Sequence, residues 1–260
     1  MNCKRNVELA TSYIKDYVDK SGAKGVILGI SGGIDSAVIA YLACRALEPE
    51  KVFGLVLPYK TTDPQSLEDA DLVIKDLGIN HKVIDITAQV DAYYQKWDPE
   101  ADYLRIGNKA ARERMAVLYD IAQKKGYLVL GTSNKSEWLL GYFTLWGDMA
   151  AALEPLGDLY KTQVFQLAEE LGVPERIIKK IPTADLWPGQ SDEEEIGIPY
   201  SEIDKILYLL VEETMTPEEI IKEGFGEEKV KKIFKMVKKT GFKRRLPSIL
   251  QLQYCQKPLV

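Results

Sequence analysis

The 260-residue chain contains one histidine, His81, and three cysteines, Cys3, Cys44 and Cys255. With a single imidazole, a Ser/His/Asp triad or a multi-histidine metal site has to be built around His81 or not at all. His81 opens an expected strand and reads most simply as a structural residue. The cysteines are far apart and odd in number, which excludes a disulfide framework and a CxxC metal or redox site and points to a reducing cytoplasm. No apolar run approaches the length of a membrane span, and residues 1–8 are polar, without a signal-peptide core. Excess charge is also lacking. Lys and Arg number 34 against 39 Asp and Glu, a net charge of −5. That disfavours bulk binding to nucleic acid or a membrane surface. The chemistry has to run on carboxylates, lysines, hydroxyls and backbone.

What is present is alternation. Residues 6–20 carry Val7, Tyr13, Ile14, Tyr17 and Val18 at helical spacing, with Gly22 as a stop. The runs at 25–30 (GVILGI), 51–57 (KVFGLVL), 81–86 (HKVIDI) and 127–130 (YLVL) read as strands, the first buried on both faces. Helices are expected at 37–47, from the Asp63-Pro64 start to Gly78, at 88–95 and at 107–125. This order predicts an α/β fold, a Rossmann-like doubly wound parallel sheet flanked by helices, followed by a helical C-terminal part. No clear buried strand follows Leu130. Helices are expected at 161–171, 174–179, 200–213 and 227–240, the last with Gly241 as its C-cap. Residues 182–190 read as a loop, and the wholly acidic stretch 192–195 as a separate acidic loop. The charges between 229 and 245 are all basic and are read mainly as solvated helix faces. The expected organisation is one domain over 1–260. An N-terminal helix (1–24) precedes a nucleotide-binding core (25–190), and an acidic loop, helices and a basic tail (191–260) follow it.

The most informative stretch is Ser31-Gly32-Gly33-Ile34-Asp35-Ser36, between a buried strand and a helix. The glycines allow positive φ and close backbone approach. The first N–H groups of the helix have no internal partner and face the loop, making an anion site favoured by the helix dipole. Ser31 and Ser36 add hydroxyls. Asp35 would repel phosphate directly, so its presence suggests Mg²⁺ between carboxylate and phosphates. GK[ST] and GxGxxG are both missing, which excludes the Walker and dinucleotide-fingerprint loops.

SGGIDS resembles the pyrophosphate loop of the ATP pyrophosphatases, which split ATP between its α and β phosphates. Five further stretches, in order, resemble the NAD synthetases among them: NKAARERM (108–115), GTSNKSE (131–137), GYFTLWGD (141–148), PLGDLYKTQ (155–163) and PTADLWPGQ (182–190). The resemblance implies ATP-dependent amidation of deamido-NAD by ammonia through an adenylate, with Mg²⁺, in a cytoplasmic homodimer. It implies that Gly29, Ile30, Ser31, Gly32, Gly33, Ile34, Asp35 and Ser36 cradle pyrophosphate. Asp35 and Glu137 would hold Mg²⁺; Thr132, Lys161 and Thr183 would contact ATP. Arg112 would contact deamido-NAD, joined by Lys243 from the basic tail. Asp148 is the candidate for attracting ammonium and helping it lose a proton. Each has a plainer alternative. Glu137 also fits a first-turn helix charge, Lys161 a surface residue, Arg112 a pair with Glu113 or Asp120, and Asp148 a turn cap. Trp138, Trp146 and Trp187 fit either a nucleotide-site wall or core packing. The chain departs from the pattern at Leu145, Ala152 and Phe242, where many members have Lys, Asp and His in contact with deamido-NAD.

Only residues 1–24 precede the first strand, so free ammonia, with no attached glutaminase, is the expected nitrogen source. The expected helix at 107–125 is apolar around much of its surface (Ala110, Ala111, Met115, Ala116, Val117, Leu118, Ile121, Ala122). It should be buried on more than one side, under the sheet or in an isologous dimer. Residues 60–62 and 187–195 are expected to be mobile without ligand. No nucleic-acid or membrane partner is expected.

Overall fold

A computed structural model describes residues 1–183, 185 and 189–250. Trp187 and Cys255 therefore lie outside the described residues. Four strands, β1 (Val26–Gly29), β2 (Val52–Val56), β3 (Asn80–Val83) and β4 (Leu128–Val129), form one parallel sheet in the order β3-β2-β1-β4. Val26 pairs with Val52 on one side and Leu128 on the other, so β1 is central. β3 is an exposed edge, and His81 lies on it, paired with Gly54. Past β4, Leu130 makes a single parallel bridge to Leu153. Among the described residues no full strand follows, as the sequence suggests.

The chain runs outward from β1 through α2 (Ile34–Ala46), β2 and α3 (Pro64–Leu77) to β3. It then returns through α4 (Thr87–Trp97) and α5 (Tyr103–Lys125) to β4, on the opposite side of β1. This reversal opens a crevice at the carboxyl ends of β1 and β4, the usual ligand position in such sheets. Alternation along β1 divides the core. Val26 and Leu28, with Ile30, pack under α1 (Cys3–Ser21), α2, α3, α7 (Lys161–Leu171) and α8 (Glu175–Ile178), while Ile27, Leu55 and Val129 pack against α4 and α5. A third apolar cluster joins α6 (Lys135–Leu140), α9 (Asp192–Ile196), α10 (Tyr200–Val211), α11 (Pro217–Lys222) and α12 (Glu227–Lys239).

Three expectations change. The acidic stretch 192–195 is helical, as α9: four acids in its first turn suit the helix dipole, Ile196 is buried, and Gly197 closes it in the left-handed region. α12 ends at Lys239 with Thr240 as its C-cap, and Gly241 instead opens a short 3₁₀ turn, Gly241–Arg244. The capping there is cationic, since Arg244 donates to the carbonyl of Val237 (2.7 Å) and to that of Leu139 in α6 (2.6 Å). Finally, α5 buries one stripe within the chain, Gly107, Ala110, Ala111, Met115, Leu118 and Ala122, while Tyr103, Leu104 and Tyr119 remain exposed. Cys3 and Cys44 are free thiols. No helix among the described residues is long and apolar enough to cross a membrane.

Candidate active site

A cavity of about 550 Å³ opens at the carboxyl ends of β1, β2 and β4. Its floor is the loop between β1 and α2. Gly32 has φ +78°, and a Cβ there would lie 2.2 Å from the carbonyl oxygen of Ser66 in α3, so only glycine fits. Gly33 is the N-cap of α2 and carries no capping side chain, leaving the first helical N–H groups for a ligand. The loop is braced from within. The Gly33 N–H donates to Ser31 Oγ (3.2 Å), the Ser36 hydroxyl donates to the Gly33 carbonyl (3.0 Å), and the two serine hydroxyls lie 3.1 Å apart.

Asp35, in the first turn of α2, meets two groups from distant parts of the chain. Asn134 Nδ2 donates to its Oδ1 (2.9 Å), and Lys161 Nζ donates to its Oδ2. Lys161 also reaches Glu137 Oε1 at 3.3 Å. Its side chain is only 3% exposed, which removes the surface-residue alternative. Burial alone would lower the Lys161 pKa, but Asp35 and Glu137 outweigh it and hold the ammonium above its ordinary range. Burial pushes Glu137 up to about 8; Asp35 and Asp192 add to this, and Lys161 opposes it. Glu137 also completes a capping box with Asn134 at the start of α6, so its plainer role is met as well.

A buried network places Lys161. The Lys161 N–H donates to Ser136 Oγ (2.9 Å), the Ser136 hydroxyl donates to Asp204 Oδ1 (2.6 Å), and the Thr162 N–H donates to Asp204 Oδ2 (2.8 Å). Asp204, from α10, thus fixes the first turn of α7.

The other expected site residues divide. Thr132, Thr183, Asp148 and Lys243 line the same cavity as the loop, Glu137 and Lys161. Asp148 Oδ1 accepts the Thr144 N–H (2.9 Å), which makes it a turn cap inside the cavity wall, and burial raises its pKa. Lys243 donates to the carbonyls of Gly141 and Phe143, each at 2.8 Å. Arg112 is exposed and outside the cavity lining; its Nε donates to the Leu145 carbonyl (3.1 Å) and pairs with neither Glu113 nor Asp120. Glu113 instead pairs with Lys109. Trp138 stacks on Phe143 at 5.4 Å, and Trp146 is exposed. Arg114 enters the cavity where Arg112 does not: its Nε donates to the Leu57 carbonyl (2.9 Å), and burial lowers its pKa. Helical spacing from Ala110, Ala111 and Leu118 places 114, not 112, on the buried stripe, a signal the motif alone obscures.

A parallel sheet with a glycine-rich loop and an open helix N-terminus at its switch point, and a buried lysine between two carboxylates beside that loop, is the architecture of a nucleotide-using α/β enzyme. Comparison with known proteins narrows the class. The family model described as NAD synthase matches residues 6–247. The NH(3)-dependent NAD(+) synthetase of Trichlorobacter lovleyi is 50% identical over 252 residues, 97% of this chain and 92% of the relative. The solved NMN synthetase from Francisella tularensis superposes with a TM-score of 0.86 at 34% identity, covering 98% of this chain and all of that one. An NH3-dependent NAD synthetase from Campylobacter jejuni, in complex with nitrate, superposes at 0.82 with 36% identity, covering 96% of this chain and all of that one. The chain belongs to the NAD synthase family and is, with it, a ligase of NAD biosynthesis.

Proposed function

We propose that the chain amidates deamido-NAD with free ammonia, consuming ATP and releasing AMP and pyrophosphate, and that the cavity at the β1–β4 switch point is where it does so. One observation carries the reading: Lys161, Asp35 and Glu137 meet beside a phosphate loop inside one cavity. The nicotinate carboxylate attacks the α-phosphorus, the bond from that phosphorus to the β-phosphate bridging oxygen breaks, and pyrophosphate leaves. Ammonia then attacks the adenylated carbonyl, loses a proton, and AMP departs. Neither step needs a nucleophilic side chain, so positioning and charge stabilisation carry the catalysis.

The Ser31–Ser36 loop and the N-terminus of α2 cradle the leaving phosphates, and Thr132 and Thr183 add contacts to ATP. Lys161 supplies a fixed positive charge. The donor set also fits Mg²⁺, which takes one or two carboxylates and completes its shell from substrate phosphates. Asp35 and Glu137 offer hard oxygens beside the loop, both of them turned toward Lys161 Nζ. Those two residues would hold the ion, which neutralises triphosphate charge when bound. Asp148, a buried carboxylate on the cavity wall, attracts ammonium and takes its proton. Arg112 and Lys243 contact deamido-NAD, Lys243 from inside the cavity and Arg112 from its outer side.

The protein works as an isologous homodimer. The outer surface of α4 and α5 exposes Tyr93, Trp97, Tyr103, Leu104 and Tyr119, an apolar surface suited to a second copy. Sedimentation showing only monomer at micromolar concentration would remove the dimer. The activity is tested by incubating the protein with ATP, Mg²⁺ and ammonium, supplying deamido-NAD or nicotinate mononucleotide as acceptor. NAD and AMP from the dinucleotide support the reading. Preferential amidation of the mononucleotide would align the chain with the Francisella protein, and absence of AMP with either would end the reading.

A further inference from the structure

A second ammonium reaches the phosphate loop. Lys161 meets the phosphate loop at Asp35; Lys180, just after α8, meets it at Gly32, whose carbonyl lies 3.4 Å from its Nζ. Lys180 lines the cavity and is held from behind by Asp69 Oδ2 (2.8 Å) and Ser66 Oγ (3.0 Å), both from α3. Asp69 is 1% exposed, and its other oxygen takes Arg176 Nε (2.7 Å) and Gln65 Nε2 (3.3 Å). The same turn of α3 packs directly on Gly32. Helix, loop and lysine are therefore set as one unit.

The charge balance says why this matters. Lys161 is held by two carboxylates, Asp35 and Glu137, so its charge is already engaged before a polyphosphate arrives. Backbone N–H groups and two serine hydroxyls add only partial positive charge to the loop. Lys180 brings a second ammonium to the opposite end of the loop, oriented by one buried carboxylate, Asp69, that it shares with the Arg176 guanidinium, so two cations face a single carboxylate there. Directing a lysine in this way lowers the entropy lost when it grips an anion.

We propose that Lys180 is a pyrophosphate contact, binding terminal phosphate oxygens of ATP and of the departing pyrophosphate, with Asp69 as its positioning residue. The proposal rests on the ATP-cleaving reading above. The test compares the full-length protein with Lys180→Met and Lys180→Arg, measuring KM for ATP and for deamido-NAD, product inhibition by pyrophosphate, and the melting temperature with and without pyrophosphate. Lys180→Met is expected to raise the ATP KM and the pyrophosphate Ki roughly ten- to hundred-fold, the effect of one charge-assisted hydrogen bond. The deamido-NAD KM should stay unchanged, the pyrophosphate-induced rise in melting temperature should vanish, and Lys180→Arg should restore most of both. A pyrophosphate Ki within about two-fold of the parent's in Lys180→Met overturns the assignment. So does a fall in ligand-free melting temperature with equal damage to both KM values, which would make Lys180 a tie between α3 and the loop. If the parent protein forms AMP, these failures touch Lys180 alone; if it forms none, the underlying reading falls and the assignment with it.

Discussion

Replacing Asp204 tests how the helical C-terminal part supports the phosphate site. Asp204 is buried, lies outside the cavity lining, and makes two hydrogen bonds: from the Ser136 hydroxyl at 2.6 Å and the Thr162 N–H at 2.8 Å. Asp204→Ala removes both and strands two buried donors at the start of α7, next to Lys161. Charge-assisted bonds contribute about 1.5–3 kcal/mol each, and stranded donors are not resolvated, so a loss of roughly 3–5 kcal/mol is expected. For a chain this size that is a fall of about 6–20 °C in melting temperature. Because Ser136 also receives the Lys161 N–H, α7 should shift at its first residue, and a misplacement near 1 Å costs on the order of 10²-fold in kcat. Asp204→Asn separates charge from geometry. Burial raises the Asp204 pKa, and the hydrogen bonds from Ser136 and Thr162 oppose it. An amide oxygen can accept the Thr162 N–H while its NH₂ faces Ser136, and the cost should be about 1 kcal/mol with most activity kept. Thermal melting and steady-state AMP formation are the assays. Asp204→Ala with unchanged melting temperature and kcat, or Asp204→Asn as damaging as Asp204→Ala, would refute the argument.

Two other substitutions give contrasting outcomes. Burial pushes the Glu154 carboxyl from 4.5 up to about 8, opposed by the Ser133 N–H and reinforced by Glu137 and Asp148, and its Oε1 has no partner. A raised folded-state pKa contributes stability that is full below about pH 4.5 and lost as pH rises through 8. Glu154→Gln should therefore melt several degrees above the parent at pH 9 and level with it at pH 5, read by melting curves across that range; equal melting temperatures at pH 9 would contradict it. Lys161→Met leaves Asp35 and Glu137 without their cation. It should cost about 3–5 kcal/mol and abolish AMP formation, and adding Glu137→Gln should recover stability but no activity. Activity restored in the double variant would show that Lys161 serves only as a counter-charge.

The parts of this site readable in sequence are those whose chemistry is local. GVILGI announces a doubly buried strand, and SGGIDS carries its function in consecutive residues, so β1, the loop and α2 appear where the pattern places them. Asp35, Glu137 and Lys161 were legible only because each stands in a recognisable motif. That they meet at one point is a property of the sheet's switch point. Lys180 and Asp204 carry no local mark. Their partners lie 111 and 68 residues away, and no periodicity links Lys180 to Asp69 or Ser136 to Asp204. The stretch 192–195 looks like a loop because its charges repel, yet its two ends are buried, Asp192 and Ile196, and that burial is not marked in the sequence. At the end of α12 the rule favouring glycine was overridden by Arg244, whose guanidinium satisfies the last carbonyls and those of α6 together.

Asp148 shows how a structural and a chemical role can share one side chain and still be separated. Its Oδ1 holds the 144–148 turn through the Thr144 N–H, so the turn needs an acceptor there but not a charge. Attracting ammonium needs the charge. Asn supplies the acceptor and removes the charge, so Asp148→Asn should leave the melting temperature within about 2 °C of the parent, in line with a near-isosteric change. The turn also carries Leu145, whose carbonyl receives Arg112, and packs against Lys243, which binds the carbonyls of Gly141 and Phe143. If the turn holds, the KM for ATP should stay constant. The KM for ammonium should rise by about ten-fold or more, the loss expected when one charged contact to a cation disappears, and the rise should shrink at high salt. A rise in the ATP KM together with a lower melting temperature would mean that the charge itself holds the turn. An ammonium KM and pH profile identical to the parent's would leave Asp148 as a turn cap and place ammonium recognition on another group of the cavity wall.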